Sequence, residues 1–141
     1  MLPYVAAAVS SRLVPRASCL LLAILPAMES CIFCRIAAGE APAEVVLADD
    51  EAIAFRDLMP KAPTHLLVIP RRHVTSLAHA QPEDRALLGR LMLMAAEAAR
   101  RTGIADGGYR VVTNIGAGAG QSVFHLHIHV LGGRRFAWPP G

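Results

Sequence analysis

Apolar and polar positions alternate most strictly near the end of the chain. Between Ser122 and Leu131, the residues Phe124, Leu126, Ile128 and Val130 take turns with His125, His127 and His129. Successive side chains of a β-strand point to opposite faces. The run therefore predicts a strand with an apolar, core-facing side and a second side bearing three imidazoles. Shorter apolar runs upstream read as strands too. Val45-Val46-Leu47 and Ala52-Ile53-Ala54-Phe55 flank Asp49-Asp50-Glu51, a strand–turn–strand signal. His65 to Ile69 predicts a buried strand, entered from a loop at Pro60 and Pro63 and ended by Pro70. Tyr109 to Thr113 predicts another.

Helical spacing occurs twice. Ile32, Phe33 and Ile36 predict a short helix with Gly39 as its stop. Pro82-Glu83-Asp84 opens a long one, since proline fits the first helical position and acids suit the first turn. Leu87, Leu88, Leu91, Met92, Ala95, Ala98 and Ala99 then form its apolar stripe, which reads as core or subunit interface; Arg100 and Arg101 close the last turn before Gly103. Short strands at hairpin spacing with one long and one short helix predict an α+β fold on an antiparallel sheet.

The chain has 141 residues, 54% of them hydrophobic and 18% charged, which suits one folded domain and excludes general disorder. Of the formal net charge of +3, Arg12 and Arg16 supply two. No basic stripe interleaves with the few aromatics, so a nucleic-acid surface is not expected. Residues 1–28 contain no acid and end in an apolar run, Cys19 to Leu25, too short to span a bilayer. They are read as lying outside the domain, with translation beginning at Met28, the domain covering 29–141 and the protein cytoplasmic. The alternative is a targeting segment, which would make the protein mitochondrial or exported. Three cysteines do not make a disulfide framework.

Three imidazoles on one face suit a metal site or nucleophilic catalysis. The preceding Asn114-Ile115-Gly116-Ala117-Gly118-Ala119-Gly120-Gln121-Ser122 favours the second, because small residues, backbone N–H groups, an amide and a hydroxyl suit a closely approached phosphate.

His125-Leu126-His127-Ile128-His129-Val130-Leu131 resembles the signature of the histidine triad superfamily, three histidines separated by apolar residues. Ala62-Pro63-Thr64-His65-Leu66-Leu67-Val68-Ile69-Pro70, Gly120-Gln121-Ser122 and Trp138-Pro139-Pro140-Gly141 resemble its Hint branch, the nucleoside phosphoramidases. The resemblance runs from about Cys31 to Gly141. It implies a five-stranded antiparallel sheet, continuous across a homodimer whose two-fold axis lies near the long helix and the Tyr109–Thr113 strand. It also implies hydrolysis of adenosine phosphoramidate-type substrates through a nucleotidyl-histidine, with purine nucleotides such as AMP or GMP as ligands, no catalytic cofactor and no membrane.

The middle histidine, His127, holds the position of the nucleophile in that family. His129 holds a phosphate-binding position with Ser122, Gln121, Gly120 and Asn114, and His65 a position that supports the triad. Asp57 matches the acid that binds ribose hydroxyls. Ile32, Phe33, Ile36, Phe55 and Leu58 match the apolar base pocket. Cys31-Ile32-Phe33-Cys34 has zinc-ligand spacing, and the resemblance supplies His73 and His125 as the other two ligands of a structural zinc. Rival readings are a dinucleoside polyphosphate hydrolase, opposed by the Trp-Pro-Pro-Gly ending, a metallohydrolase using the three histidines, and a nucleotide-binding adaptor with little turnover.

Overall fold

The computed structural model describes residues 30–140. The readings of residues 1–28 and of Gly141 lie outside the described residues. In chain order the elements are helix α1 (Ile32–Ala37), strands β1 (Val45–Ala48), β2 (Ala52–Arg56) and β3 (Thr64–Pro70), helix α2 (Arg85–Arg101), and strands β4 (Tyr109–Val112) and β5 (Ile128–Gly132). The strands form one antiparallel sheet in the order β1-β2-β3-β5-β4. The α+β expectation holds, with one long and one short α-helix among the described residues.

Alternation along the central strands divides the core. Ala52 and Ala54, Leu66 and Val68, and Ile128 and Val130 face α2, where they meet Leu91, Met94, Ala95, Ala98 and Ala99. Ile53, Phe55, Leu67 and Ile69 face the other way and pack on Phe33, Ile36 and Ala37 of α1. Each fully buried large aliphatic side chain here contributes about 1.5–3 kcal/mol relative to exposure. Ala at five of these positions, Ala52, Ala54, Ala95, Ala98 and Ala99, lets α2 lie close against the sheet.

Helix α2 starts one turn later than the pattern predicts, because Pro82–Asp84 forms a separate 3-10 turn held by Gln81 N–H donating to Asp84 Oδ2 at 2.8 Å. It ends at Arg101, and the chain turns away at Gly103, whose φ of 74° favours glycine. Ile104 N–H donates back to Ala99 O and Gly103 N–H to Arg100 O, which satisfies the last carbonyls and tucks Ile104 into the core. Met92, expected on the inner stripe, is 53% exposed, and Met94 is buried in its place. The 3.6-residue period carries the inner face from Leu91 to Met94 and Ala95, leaving Met92 and Leu93 outside.

A second correction concerns the histidine strand. It was expected to span Ser122 to Leu131, but β5 pairs with its neighbours only from Ile128 onward. The preceding backbone bonds elsewhere: Leu126 N–H donates to Val74 O, and His127 O accepts from Thr113 Oγ1 at 2.9 Å. Leu126, Ile128 and Val130 still enter the core as the alternation requires, but Phe124, beyond the paired region, is 52% exposed and not core.

Candidate active site and metal cluster

Three backbone groups fix the ring tautomers of the histidines, because a carbonyl can only accept and an amide N–H can only donate. His127 Nδ1 lies 2.7 Å from His125 O, so this nitrogen carries the proton and donates it. The lone pair of His127 is therefore on Nε2. Lys61 N–H donates to His65 Nδ1 at 3.1 Å, so the proton of neutral His65 is on Nε2. From there it is donated to His129 Nδ1 at 2.8 Å. The proton of neutral His129 must then be on Nε2, and this buried atom has no hydrogen-bond partner. The outcome is a bare imidazole nitrogen on His127 beside an unsatisfied N–H on His129. The two rings are 4.9 Å apart by their centroids, and Phe33 packs edge-on against His127 at 5.3 Å.

Burial, aided by the neighbouring His127 and His65, pushes the pKa of His129 down to about 4. Burial also lowers that of His65, with Asp57 opposing and Lys61 adding to the shift. Both rings are thus neutral at physiological pH, as the tautomer chain requires. A histidine held below its ordinary value of about 6.5 stays unprotonated in the fold while the unfolded chain takes up a proton. The stability tied to it is complete above about pH 6.5 and declines as the pH falls toward 4. Urea unfolding is expected to show a lower midpoint at pH 5 than at pH 7.5, with a smaller difference in His129→Gln.

His127 and His129 line an apolar cavity of about 260 Å³, walled by Ile32, Phe33, Ile36, Phe55, Leu67 and Val123. Ser122, His127 and His129 sit at its polar end, and Asp57, Leu58 and Met59 at its mouth. An apolar pocket with a few convergent polar groups is the usual form of a small-molecule site. Leu58, expected in the pocket, is 91% exposed and lies at the rim. Ile32 is 42% exposed. Asp57 Oδ1 accepts from Met59 N–H at 2.8 Å and its Oδ2 lies 3.4 Å from His65 Nε2, so it caps a turn and also faces the site. A second cavity of about 550 Å³ shares Asp57, Met59, Ser122 and His129 with the first and adds Lys61, His65, Asn114 and Gly120 with the apolar Val112 and Leu131.

The glycine-rich loop owes its shape to Gln121 and two glycines. Gly116 and Gly120 have φ of 80° and 84°, in the left-handed region. Gln121, expected to meet phosphate, is buried instead. Its Oε1 accepts from Gly116 N–H, and its Nε2 donates to Thr75 O and Val123 O. With its amide engaged in this way, it holds the loop and offers no donor to a ligand.

His125 turns away from the cavity. Its Nε2–H donates to Pro70 O at 2.9 Å, leaving the lone pair on Nδ1, 3.5 Å from both Cys31 Sγ and Cys34 Sγ. His73 Nδ1 lies 3.2 Å from Cys34 Sγ. One ligand atom from each of Cys31, Cys34, His73 and His125 lies within 4.8 Å of all the others, so the four could hold a metal ion. Two sulfurs and two imidazole nitrogens are a donor set suited to tetrahedral zinc. Burial and the adjacent Cys31 push the Cys34 thiol up to about 12, so at neutral pH a cation is needed to populate its thiolate. Asp57, His65 and His129 also lie within 4.8 Å of one another. That group is a poor metal site, because Lys61 N–H occupies His65 Nδ1 and leaves the proton on the nitrogen that would have to ligate.

Leu67, Val123 and Lys61 were not expected at the site. Leu67 was legible in principle, since it pairs with His129 across β3 and β5. Lys61 carries no local signal. His79 is exposed and hydrogen-bonded to Ser76. Among the described residues no helix is long and apolar enough to cross a membrane.

Residues 38–136 match the HIT domain family. A Neisseria gonorrhoeae protein named HitA is 52% identical over 105 residues, which cover 74% of this chain and 97% of that protein. Among solved structures, a HIT family hydrolase from Legionella pneumophila superposes with a TM-score of 0.77 at 46% identity, over 79% of this chain and all of the other. One from Clostridium thermocellum gives 0.76 at 39%, over 77% and 95%. With a family match across most of its length and relatives this similar, the chain belongs to the HIT domain family.

Proposed function

We propose that this protein hydrolyses nucleoside 5′-phosphoramidates, of the adenosine phosphoramidate type, to the nucleoside monophosphate and an amine. The observation that carries the reading is the pairing of two nitrogens at the end of the apolar cavity: a lone pair on His127 Nε2 and an unpartnered buried N–H on His129 Nε2. A nucleophile beside an unsatisfied donor suits attack on a phosphoryl group. The apolar walls suit a purine, and Asp57 at the mouth suits ribose hydroxyls. The Hint-like Trp138-Pro139-Pro140 ending supports the phosphoramidase branch.

On this reading His127 Nε2 bonds to phosphorus while the P–N bond of the substrate breaks. The electron pair leaves on the amine, which takes up a proton from water. The ring becomes cationic, and its Nδ1–H is already held by the carbonyl of His125. Water then attacks phosphorus, the bond to His127 breaks, and the monophosphate departs. His129 Nε2–H, Ser122, Asn114 and backbone N–H groups near Gly120 meet the phosphoryl oxygens. Each fixed donor of this kind is worth about 2.7–4 kcal/mol to the transition state.

The Cys31, Cys34, His73 and His125 group is assigned to a structural zinc. With four protein ligands no position remains for a reacting water. The protein is also read as a homodimer, in which a second copy adds to the free edge of β4 and continues the sheet. AMP release from adenosine 5′-phosphoramidate tests the activity. Turnover should persist after brief exposure to EDTA; activity that vanishes on chelation while the fold stays intact would mean that a metal performs the chemistry.

A further inference from the structure

A third cavity, of about 440 Å³, reaches the metal cluster. Cys31 and His73 line it, together with Thr75, Ser122 and Phe124. Cys34 and His125 do not, and both are buried. A small solute in this space therefore meets the half-buried sulfur of Cys31 before that of Cys34. The two sulfurs lie within 4.8 Å of each other, so what reacts at the first is in reach of the second.

The same cysteines frame a wall of the first cavity. Cys31 caps α1 and Cys34 lies in its first turn, which is closed by Arg35 N–H donating to Cys31 O at 3.1 Å. Ile32 and Phe33, the residues between them, line the apolar cavity, and Phe33 packs on His127 and Phe55. Residues three apart on a helical turn have Cβ atoms about 5–6 Å apart. A disulfide needs them at about 3.5–4.5 Å. Bridging Cys31 and Cys34 therefore tightens the turn that carries Ile32 and Phe33.

We propose that Cys31 and Cys34 are a pair oxidised by peroxide, whose disulfide gives up the metal and weakens the hold of the apolar cavity on its ligand. The thiolates that bind a metal are also the nucleophiles toward a peroxide. The Cys31 sulfur attacks one peroxide oxygen and the O–O bond breaks. Cys31 becomes a sulfenic acid, and the other oxygen leaves as hydroxide. The Cys34 thiolate then attacks the Cys31 sulfur. The S–S bond forms and the S–O bond breaks, releasing a second hydroxide. Both hydroxides take protons from solvent and become water. The sulfurs have lost an electron pair and the peroxide has gained it. His73 and His125 remain, half of a tetrahedral set. A dithiol reverses the change by exchange.

The test treats reduced, zinc-loaded full-length chain with hydrogen peroxide and stops the reaction with catalase. The bridge is read by mass spectrometry, free zinc with a chromogenic chelator, and AMP affinity by calorimetry. Digestion after Glu29 parts Cys19 from the pair. The expected result is a Cys31–Cys34 bridge, zinc released in step with it, and AMP bound about fivefold more weakly, or roughly 1 kcal/mol. Dithiothreitol with added zinc should restore all three. Cys34→Ser should stop at a sulfenic acid on Cys31, trapped by dimedone. Cys31→Ser with Cys34→Ser should keep its AMP affinity through the same treatment. Sulfinic acid in place of the bridge, a bridge to Cys19, or zinc retained in the bridged chain would overturn the proposal. A bridge with released zinc and unchanged AMP affinity would overturn the coupling to the cavity. The affinity arm rests on the nucleotide reading. If the reduced chain binds no AMP, that reading falls, while the bridge and the zinc release still decide the oxidation.

Discussion

His127→Ala is expected to slow phosphoramidate cleavage at least about a thousandfold while AMP binding, measured by calorimetry, stays within about tenfold. The size of the effect follows from the role. Loss of a covalent nucleophile removes the reaction path, and losses of that kind reach the order of 10⁶. Binding survives because the groups that hold the nucleotide lie elsewhere. The apolar walls come from α1, β2 and β3, and the unpartnered donor is on His129. The Nδ1–H of His127 is used by His125 O, so removing the ring strips only one bond from the scaffold. Retention of activity within about tenfold, or roughly 1.4 kcal/mol, would remove His127 from the role of nucleophile.

Cys31→Ser with Cys34→Ser is expected to remove about one zinc per chain and lower the melting temperature by about 8 °C or more. That shift corresponds to about 2 kcal/mol at roughly 4 °C per kcal/mol for a domain of this size. The thiols lie at the start of the described chain and His125 lies against β3 through Pro70 O, so a shared ion ties α1 to the centre of the sheet. Metal binding of this kind is part of the folding free energy. Activity at moderate temperature should stay within about tenfold, because His127 is held by the backbone carbonyl of His125 and not by its ring. Metal analysis of protein purified without added zinc, before and after the substitution, checks the first part. Absence of metal in reduced, unsubstituted protein would make the cysteines bystanders and leave the catalytic reading untouched.

The fold was legible wherever one periodicity governed a segment. Alternation in Ile53-Ala54-Phe55 and Leu66-Leu67-Val68-Ile69 sorts side chains between the α2 and α1 faces as the structure does. Alternation misled at Phe124, because burial of Leu126, Ile128 and Val130 does not require the backbone before them to pair in the sheet. The same break explains the histidines. An unbroken strand would present three equivalent rings, but release of residues 125–127 from the sheet lets His125 turn to the cysteines while His127 and His129 face the cavity. Gln121 was misread because a carboxamide near a glycine-rich loop suits a phosphate and a buried loop backbone equally, and only the carbonyls of Thr75 and Val123 decide between them. Lys61 was not legible, since its place depends on five separate chain segments that meet at the second cavity.

The most direct test is the mass of the protein during turnover. Full-length chain mixed with adenosine 5′-phosphoramidate, quenched with neutral denaturant within milliseconds and digested, should carry one adenylyl group on a peptide containing His127, bound through a ring nitrogen and absent in His127→Ala. An adenylyl group found on any other residue, or turnover with no adduct at any quench time and direct attack by water shown by inversion at a chiral phosphorus, would contradict the nucleotidyl-histidine path.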